Sequence, residues 1–453
     1  MRRGAFARSA TNALTVTVYY AIINKKIDFL CWEGAFIMKR YDLAVLGGGF
    51  AGVAAALAAA RSGAKVLIVE KANCLGGAAT NCLVNPFMMY WTVMDDKRVD
   101  LSAGIFIEIH RRLEARGAMH HESFLEEELK YVLGEMTAEE GIDLLLRSYL
   151  FKVSREGDRI RSVSVATVKG EVEVEADYFI DATGDAQLAY LAGCPTTLGR
   201  EPDHLCQPMT LCFRVGNVDT ERFYATREAL NAAHAKSLAA GELINPRENI
   251  LVFRTPIPNV LHFNTTRVVK MNPTEVEDVT KAEVLARRQV YEIYDFMKQH
   301  ADGFENSFLM MTAAEIGVRE SRMIVGDYVL TEDDCRACTK FEDAIAACNY
   351  DIDIHNPEGT GTSHYYFELG EYYTIPYRSL IPAKASNMLV AGRCISSDHG
   401  AQASYRIMPV VCCIGEAAGA AIGLAVQSGC GVREISVPAL QSILKSRNAF
   451  VGV

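Results

Sequence analysis

The 453-residue sequence has no excess of basic charge: 46 Lys and Arg stand against 56 Asp and Glu, a formal net charge of −10. A general binder of nucleic acid or of anionic membranes presents a basic face, so this balance argues against both classes. Cysteine is not concentrated either. Thirteen residues spread along the chain lack the dense framework of a small secreted domain, and they suit a reducing, cytoplasmic setting. The C-x-x-C pair Cys335 and Cys338 has no partner pair at zinc spacing and no surrounding βαβ pattern, so no metal site is expected. No internal repeat or low-complexity tract stands out. With 50% apolar residues the chain can nonetheless bury a large core, and its length suggests more than one domain.

Two apolar runs bear on targeting. The run from Ala13 to Ile23 lies in a segment that begins Met1-Arg2-Arg3 and has no acidic residue before Asp28, as a targeting peptide would. No small-residue cleavage site follows it, and Met38 offers a second start just before the first convincing strand. Residues 1–37 are therefore expected to be a poorly ordered extension, with Met38 the natural start. The second run, 408–426 (MPVVCCIGEAAGAAIGLAV), is long enough to span a bilayer, but Pro409 opens it and Glu416 lies near its middle. It reads as a buried helix rather than a membrane span.

What the chain does contain is clearest at 41–70 (YDLAVLGGGFAGVAAALAAARSGAKVLIVE). An apolar strand meets a glycine turn, a small-residue helix and a second apolar strand ending in Glu70, which is a βαβ unit. Gly47-Gly48-Gly49-Phe50-Ala51-Gly52 fits G-x-G-x-x-G in that context. Gly47 permits the tight turn, Gly49 lets backbone approach a pyrophosphate, Gly52 allows close helix–strand packing, and the helix N-terminus supplies N–H donors. Glu70, 18 residues beyond Gly52, is placed to accept hydrogen bonds from both hydroxyls of an adenosine ribose. Further on, 103–117 and 122–140 read as helices, the second with Ser123 as a cap and Glu126 three residues later. Strand-like runs occupy 143–153, 160–168 and 171–176, and 178–185 (YFIDATGD) reads as another buried strand. Longer helices follow at 219–240 and 274–300, and 387–391 (NMLVA) looks like a return to a central parallel sheet.

The same glycine fingerprint serves NAD and FAD. The segment 71–82 (KANCLGGAATNC) places Gly76-Gly77 just past Glu70, where a loop could wrap a cofactor continuing beyond the adenosine. Together with IDATGD near 180 and NMLVAGRCISSDHGAQASYRIMPVVCCIGEAAG at 387–419, the sequence resembles the FAD-dependent oxidoreductases of the glutathione-reductase-like superfamily. It is similar to the bacterial family related to the flavin subunit of heterodisulfide reductase, also over 312–334 and 372–382, so the likeness covers most of the chain from residue 41.

That resemblance implies an α/β fold: a doubly wound Rossmann-like FAD-binding domain built from 38–200 and 372–453, with an α+β substrate domain inserted over 201–371. It implies non-covalent FAD. Gly47, Gly49, Phe50, Ala51 and Gly52 would cradle the pyrophosphate, with Glu70 and Lys71 on the adenosine side and Gly76, Gly77 and Ala78 lining the cofactor. Thr183, Gly184 and Asp185 would form the loop under the adenine side. Gly392 and Arg393 would approach the ribityl and phosphate portion, and the helix opening at Met408-Pro409 would point at the flavin pyrimidine, where its partial positive charge stabilises an anionic reduced ring by ~0.3–2 kcal/mol.

The sequence departs from parts of this pattern. Flavin disulfide reductases carry Cys-x4-Cys after the glycine pair, whereas here only Cys82 occupies that region and Cys74 precedes the pair. No cysteine run of the C-x2-C-x2-C-x3-C kind is present, so an iron–sulfur cluster is not supported. Cys412 and Cys413 read as core.

For substrate chemistry the candidates are His399, Arg406 and Arg378, all in or beside the flavin-side motifs. His399 is open to two readings, a proton-transfer group or a histidine tying its loop to backbone. Arg319 and Arg322 serve either substrate or an internal ion-pair network with Glu320 or Glu315. The cluster His364-Tyr365-Tyr366 with Tyr372-Tyr373 lines a pocket or simply packs. The expected activity is hydride transfer between a small organic substrate and FAD, with dioxygen, a quinone or another protein as electron partner, since no second strand-linked G-x-G-x-x-G is visible. The alternative is a flavin electron-transfer subunit of a multi-protein reductase. Motifs of an NADPH-driven flavin monooxygenase are not evident.

Overall fold

The computed structural model describes residues 40–452, so the expectations for 1–37 and for a start at Met38 lie outside the described residues. The first unit forms as the glycine-punctuated apolar pattern dictates. Tyr41–Leu46 is strand β1, Phe50–Ala60 helix α1 and Val66–Val69 strand β2. Both strands are buried almost throughout, as parallel strands covered on two faces must be. Ile105–Ala115 then forms helix α2 and Glu126–Glu139 helix α3. Ser123 does not cap α3: it pairs with His120 in a two-residue strand, and Leu125 is the cap residue without a side-chain bond. Glu126, Glu127 and Glu128 in the first turn complement the helix dipole instead.

Asp143–Leu145 is β3, Tyr149–Glu156 β4, Arg159–Thr167 β5 and Gly170–Asp181 β6. The runs at 171–176 and 178–185 are thus mostly one long strand, because nothing between them breaks an extended backbone. In the middle of the chain come Phe213–Gly216 (β7), Thr220–Ala239 (α4, capped by the Asp219 side chain), Val252–Arg254 (β8), Leu261–Phe263 (β9), Val276–His300 (α5) and Phe308–Thr312 (β10). A hairpin follows, Ile352–His355 (β11) with Thr362–Tyr365 (β12), and sets Asp353 opposite His364. The chain closes with Met388–Val390 (β13), His399–Tyr405 (α6) and Met408–Ser428 (α7), followed by a short helix, Val437–Ser446.

The fold is α/β. Its parallel sheet runs β3-β2-β1-β6-β13. Strand β6 has two roles: Gly170–Glu175 pairs antiparallel with β5, and Phe179–Asp181 pairs parallel with β13. Strands β8-β9-β7-β10 form a separate antiparallel sheet with its own apolar cluster against α4 and α5. Helix α7 is apolar and long enough to cross a membrane, yet it is buried within the protein. It crosses α1 backbone to backbone. A Cβ at Gly415 would lie 2.1 Å from the Ala51 carbonyl oxygen, and one at Gly419 would lie 2.0 Å from that of Ala55. The N-termini of α1 and α7 are thereby brought to the same side of the sheet edge, where a cavity opens.

Candidate active site

The cavity, of about 640 Å³, runs from the glycine turn after β1 to a polar cluster reached from β11, β12 and the start of α7. At its first end the backbone makes the site. Gly47 has φ +104°, and a Cβ there would meet the Ala182 carbonyl oxygen at 2.4 Å, so only glycine makes this turn. Gly52 packs the other way: its Cβ would lie 1.9 Å from the Gly47 oxygen, and it supports the loop from beneath without lining the cavity. At Gly49 the nearest atom to an added Cβ is Gly77 Cα at 3.8 Å, so the space before α1 is kept open. Neither a side-chain cap nor an acidic residue occupies the first turn of α1, which leaves its dipole and N–H donors for an anion. The second glycine loop is tied to the first by the bond from Gly76 N–H to the Gly48 carbonyl (2.8 Å). Gly47, Gly49, Phe50, Ala51, Gly76, Gly77 and Ala78 all line the cavity.

Glu70 is buried at the lip. Its two oxygens accept from Gly48 N–H (2.6 Å) and Ala72 N–H (2.7 Å), which fixes the carboxylate while leaving further lone pairs on each oxygen. Lys71 reaches Glu315 at 3.4 Å. On the facing side the fully buried Asp181 accepts from Thr183 and from Ala189 N–H, shaping the Thr183-Gly184-Asp185 turn. Asp185 accepts from Arg393 at 2.6 Å and from the Ser321 hydroxyl at 2.6 Å. The guanidinium is laid over Gly184, where an added Cβ would be 2.4 Å from Arg393 Nη1. Gly392 lines the wall beside it. Met408 begins α7 at the cavity with no acidic residue in the first turn, whereas Pro409 shapes that turn from outside the lining. This chain of an open glycine cradle, a fixed carboxylate and a second helix N-terminus fits an elongated dinucleotide.

The other end is lined by side chains from distant parts of the sequence. Arg247, Arg319 and Arg406 reach it together with Asp353, His355 and His364. Asp353 accepts from His355 Nε2 (3.2 Å) and lies 3.6 Å from Arg406, while its Oδ1 is buried without a hydrogen-bond partner among the described residues. Burial opposes its ionisation, but the His355 bond and the Arg406 and Arg319 charges hold its carboxyl well below the usual range. His355 is neutral. Its Nδ1 faces Arg267 Nη2 at 3.0 Å, and a guanidinium only donates, so the ring proton sits on Nε2 and points to Asp353. Burial and the Arg319 charge push its pKa down accordingly. His364 sits at the rim with Nδ1 2.6 Å from Asp351 and its ring stacked on Tyr366. The thiols of Cys82 and Cys212, also in the wall, are pushed up to about 12 by burial and stay protonated. The cysteines among the described residues are free thiols.

Of the three side chains expected to carry substrate chemistry, Arg406 alone lines this cavity. His399 does not. As the first residue of α6 its ring turns inward, and Nδ1 meets the fully buried Glu320 at 2.7 Å. Arg378 lies elsewhere, half-exposed and paired with Asp343 at 3.0 Å beside the Tyr328 ring. The turn it occupies, Tyr377–Leu380, directs it to the surface. The expected ion-pair network is different too: Glu320 holds His399, Glu315 holds Lys71, Arg319 donates to Pro208 O and Thr210, and Arg322 stacks on Tyr190. Sequence reasoning passed over Arg247, Asp353 and His355. The alternation Asp351-Ile352-Asp353-Ile354-His355 is the signal that could have found the last two, since a period of two puts these polar groups on one face of β11.

A family model described as FAD dependent oxidoreductase matches residues 42–444. Among solved structures, the chain is similar to a geranylgeranyl bacteriochlorophyll reductase-like protein from Thermoplasma acidophilum, 14% identical over 90% of this chain and 83% of that one, with a TM-score of 0.43. It is similar also to p-nitrophenol 4-monooxygenase PnpA from Pseudomonas putida DLL-E4, 9% identical over 90% and 89%, with a TM-score of 0.46. No curated protein matches it.

Proposed function

The chain belongs to the FAD-dependent oxidoreductase family, an enzyme family with FAD as cofactor, and from that premise we propose that it exchanges a hydride between a small organic substrate and non-covalent FAD in this cavity. The observation that carries the reading is continuity: one cavity joins the open glycine cradle to the buried polar cluster. Gly47, Gly49, Phe50 and Ala51 hold the pyrophosphate on backbone N–H groups at the start of α1, and Gly52 keeps that loop close. Glu70 takes the adenosine ribose, and Lys71 and the turn Thr183-Gly184-Asp185 bound that side. Gly76, Gly77 and Ala78 cover the middle, and Arg393, steadied by Asp185, lies along the phosphate and ribityl portion. The start of α7, Met408 with Pro409 behind it, aims a partial positive charge at the ring. When bound, FAD supplies a ring nitrogen that takes or gives a hydride.

The remaining work belongs to the polar end. Arg406 and Asp353 fix one another, and neutral His355 orients Asp353. His364 is the proton-transfer group: Asp351 engages Nδ1, which leaves Nε2 as the atom that exchanges a proton with substrate or water. The finer placement of the family beside the flavin subunit of heterodisulfide reductase remains a resemblance of motifs.

The test is spectroscopic. Purified protein should show flavin absorption that moves into the supernatant on acid precipitation, and an anaerobic screen of small metabolites should find one that bleaches it without a partner protein. Flavin that stays in the pellet would refute the non-covalent reading. Bleaching that requires a second protein would favour an electron-transfer subunit instead.

A further inference from the structure

Three guanidinia share the polar end of the cavity, and their counter-charges do not balance. Arg247, although 5% exposed, engages a protein partner only through Nε, 3.3 Å from Asn249 Oδ1, among the described residues. Arg319 donates to the Pro208 carbonyl (2.8 Å), the Thr210 hydroxyl (2.5 Å) and the Asn264 amide oxygen (3.3 Å), all neutral, and no carboxylate of the described residues lies within ion-pair distance. Arg406 reaches the Asp353 carboxylate only at 3.6 Å; its hydrogen bonds go to neutral oxygens, the Asp353 carbonyl (3.3 Å) and Gln207 Oε1 (3.5 Å), and its Nε is buried without a partner. Among the described residues Asp353 is the carboxylate nearest Arg406 and acts on Arg319 and Arg247 as well, while Glu248, which also acts on Arg247, is already shared with Arg267 at 3.0 Å and Thr362; two carboxylates thus face four guanidinia.

Burying charge without a partner is costly, and a protein that does so at a cavity wall leaves the missing partner to a ligand. Resting on the function proposed above, we propose that Arg247, Arg319 and Arg406 form a carboxylate-binding site, so that the substrate class is a small organic acid. Arginine suits this role because its planar fork matches a carboxylate with two parallel hydrogen bonds. Neutral His355 adds no charge here. Burial, together with the charges of Arg406 and Arg247, pulls the Arg319 pKa down to about 9; a guanidinium keeps its proton at neutral pH, so the shift registers an unmet demand for negative charge. The phosphates do not meet that demand in this reading. Their cradle is the open space before α1, with Lys71 and Arg393 on its flanks.

The experiment titrates the FAD-loaded protein with acetate, glycolate, malonate, succinate and benzoate, each beside its neutral amide, and follows the visible flavin bands and the melting temperature. At least one acid should perturb both saturably while its amide does not. Arg247→Gln and Arg319→Gln should weaken that binding on the order of 10- to 100-fold with FAD content unchanged, and Arg247→Lys should weaken it less, since charge survives without the fork. Acids and amides that bind alike, or none of the five acids binding, would overturn the proposal. So would Gln variants that lose FAD instead, which would assign the arginines to the cofactor. Protein that carries no flavin at all would sink the proposed function rather than this inference.

Discussion

Glu416 offers a quantitative test of the packing around α7. It is 1% exposed, one oxygen accepts from Ile105 N–H at 2.9 Å at the start of α2, and the other is buried without a partner. Burial raises its pKa from 4.5 to about 7, against the Ile105 bond and the distant charges of Arg447 and Arg61. The sign follows from linkage. Between those two values the folded protein holds a proton that the unfolded chain has released, so stability is greatest below pH ~4.5 and falls as pH rises toward and past 7. The shift of 7 − 4.5 = 2.5 units, at about 1.36 kcal/mol each, gives a loss of about 3 kcal/mol by pH 8. Glu416→Gln keeps an acceptor for Ile105 and removes the titration. Urea unfolding of both proteins at pH 5, 6, 7 and 8, at one fixed FAD concentration, isolates this group, because every other titration cancels in the difference. The variant should gain on the wild type by roughly 2 to 3 kcal/mol across that range, since part of the shift is already spent at pH 5. A difference that stays flat with pH would refute the reasoning, since Glu416 would then carry the same charge in both states.

The remaining predictions separate cofactor, packing and chemistry. Gly49→Ala should leave the melting temperature of the apo protein nearly unchanged, because its Cβ enters open space, yet abolish flavin retention during gel filtration. Gly415→Ala should do the reverse in kind, lowering stability by about 3 kcal/mol or more in urea titration, because a Cβ 2.1 Å from the Ala51 oxygen forces two backbones apart. Asp351→Asn should lower kcat about 10²-fold in steady-state assays with FAD content unchanged, since the His364 ring loses the carboxylate that holds Nδ1 and orients Nε2. Arg378→Ala should leave kcat/KM unchanged and alter stability by less than about 1 kcal/mol, as expected of an exposed ion pair.

The part of the site that was legible in advance is the part made by local sequence. A strand, three glycines at fixed spacing and a helix specify their own geometry, so Gly47, Gly49 and Gly52 could be given separate roles before any fold was known. The parallel sheet was legible for the same reason, since apolar runs between helices leave few other arrangements. Side-chain direction was not. His399 and Arg378 sit in motifs that adjoin the cavity in sequence, but a helix start turns the first toward Glu320 and a tight turn sends the second to the surface. The polar end was legible only in part: Arg406 and Arg319 stood among the candidates, but Arg247 and Asp353 meet them only through tertiary folding and are not marked by spacing to either.

The excursion between β6 and β13 has a consequence for how such a site changes over time. The chain leaves the sheet at Asp181 and returns beside it: Val390 pairs with Asp181, and Ala391 N–H donates to the Asp181 carbonyl at 2.9 Å. Entry and exit are one hydrogen bond apart. Because the ends are already clamped, doubling the length of what lies between them costs only about 0.6 kcal/mol in closure entropy. Lineages can therefore rewrite the excursion, with Arg247, Arg319 and Asp353 in it, while inheriting the glycine loops untouched. A chimera grafted after Asp185 and before Met388 would keep the glycine loops and the Thr183-Gly184-Asp185 turn and exchange the chemistry they are offered.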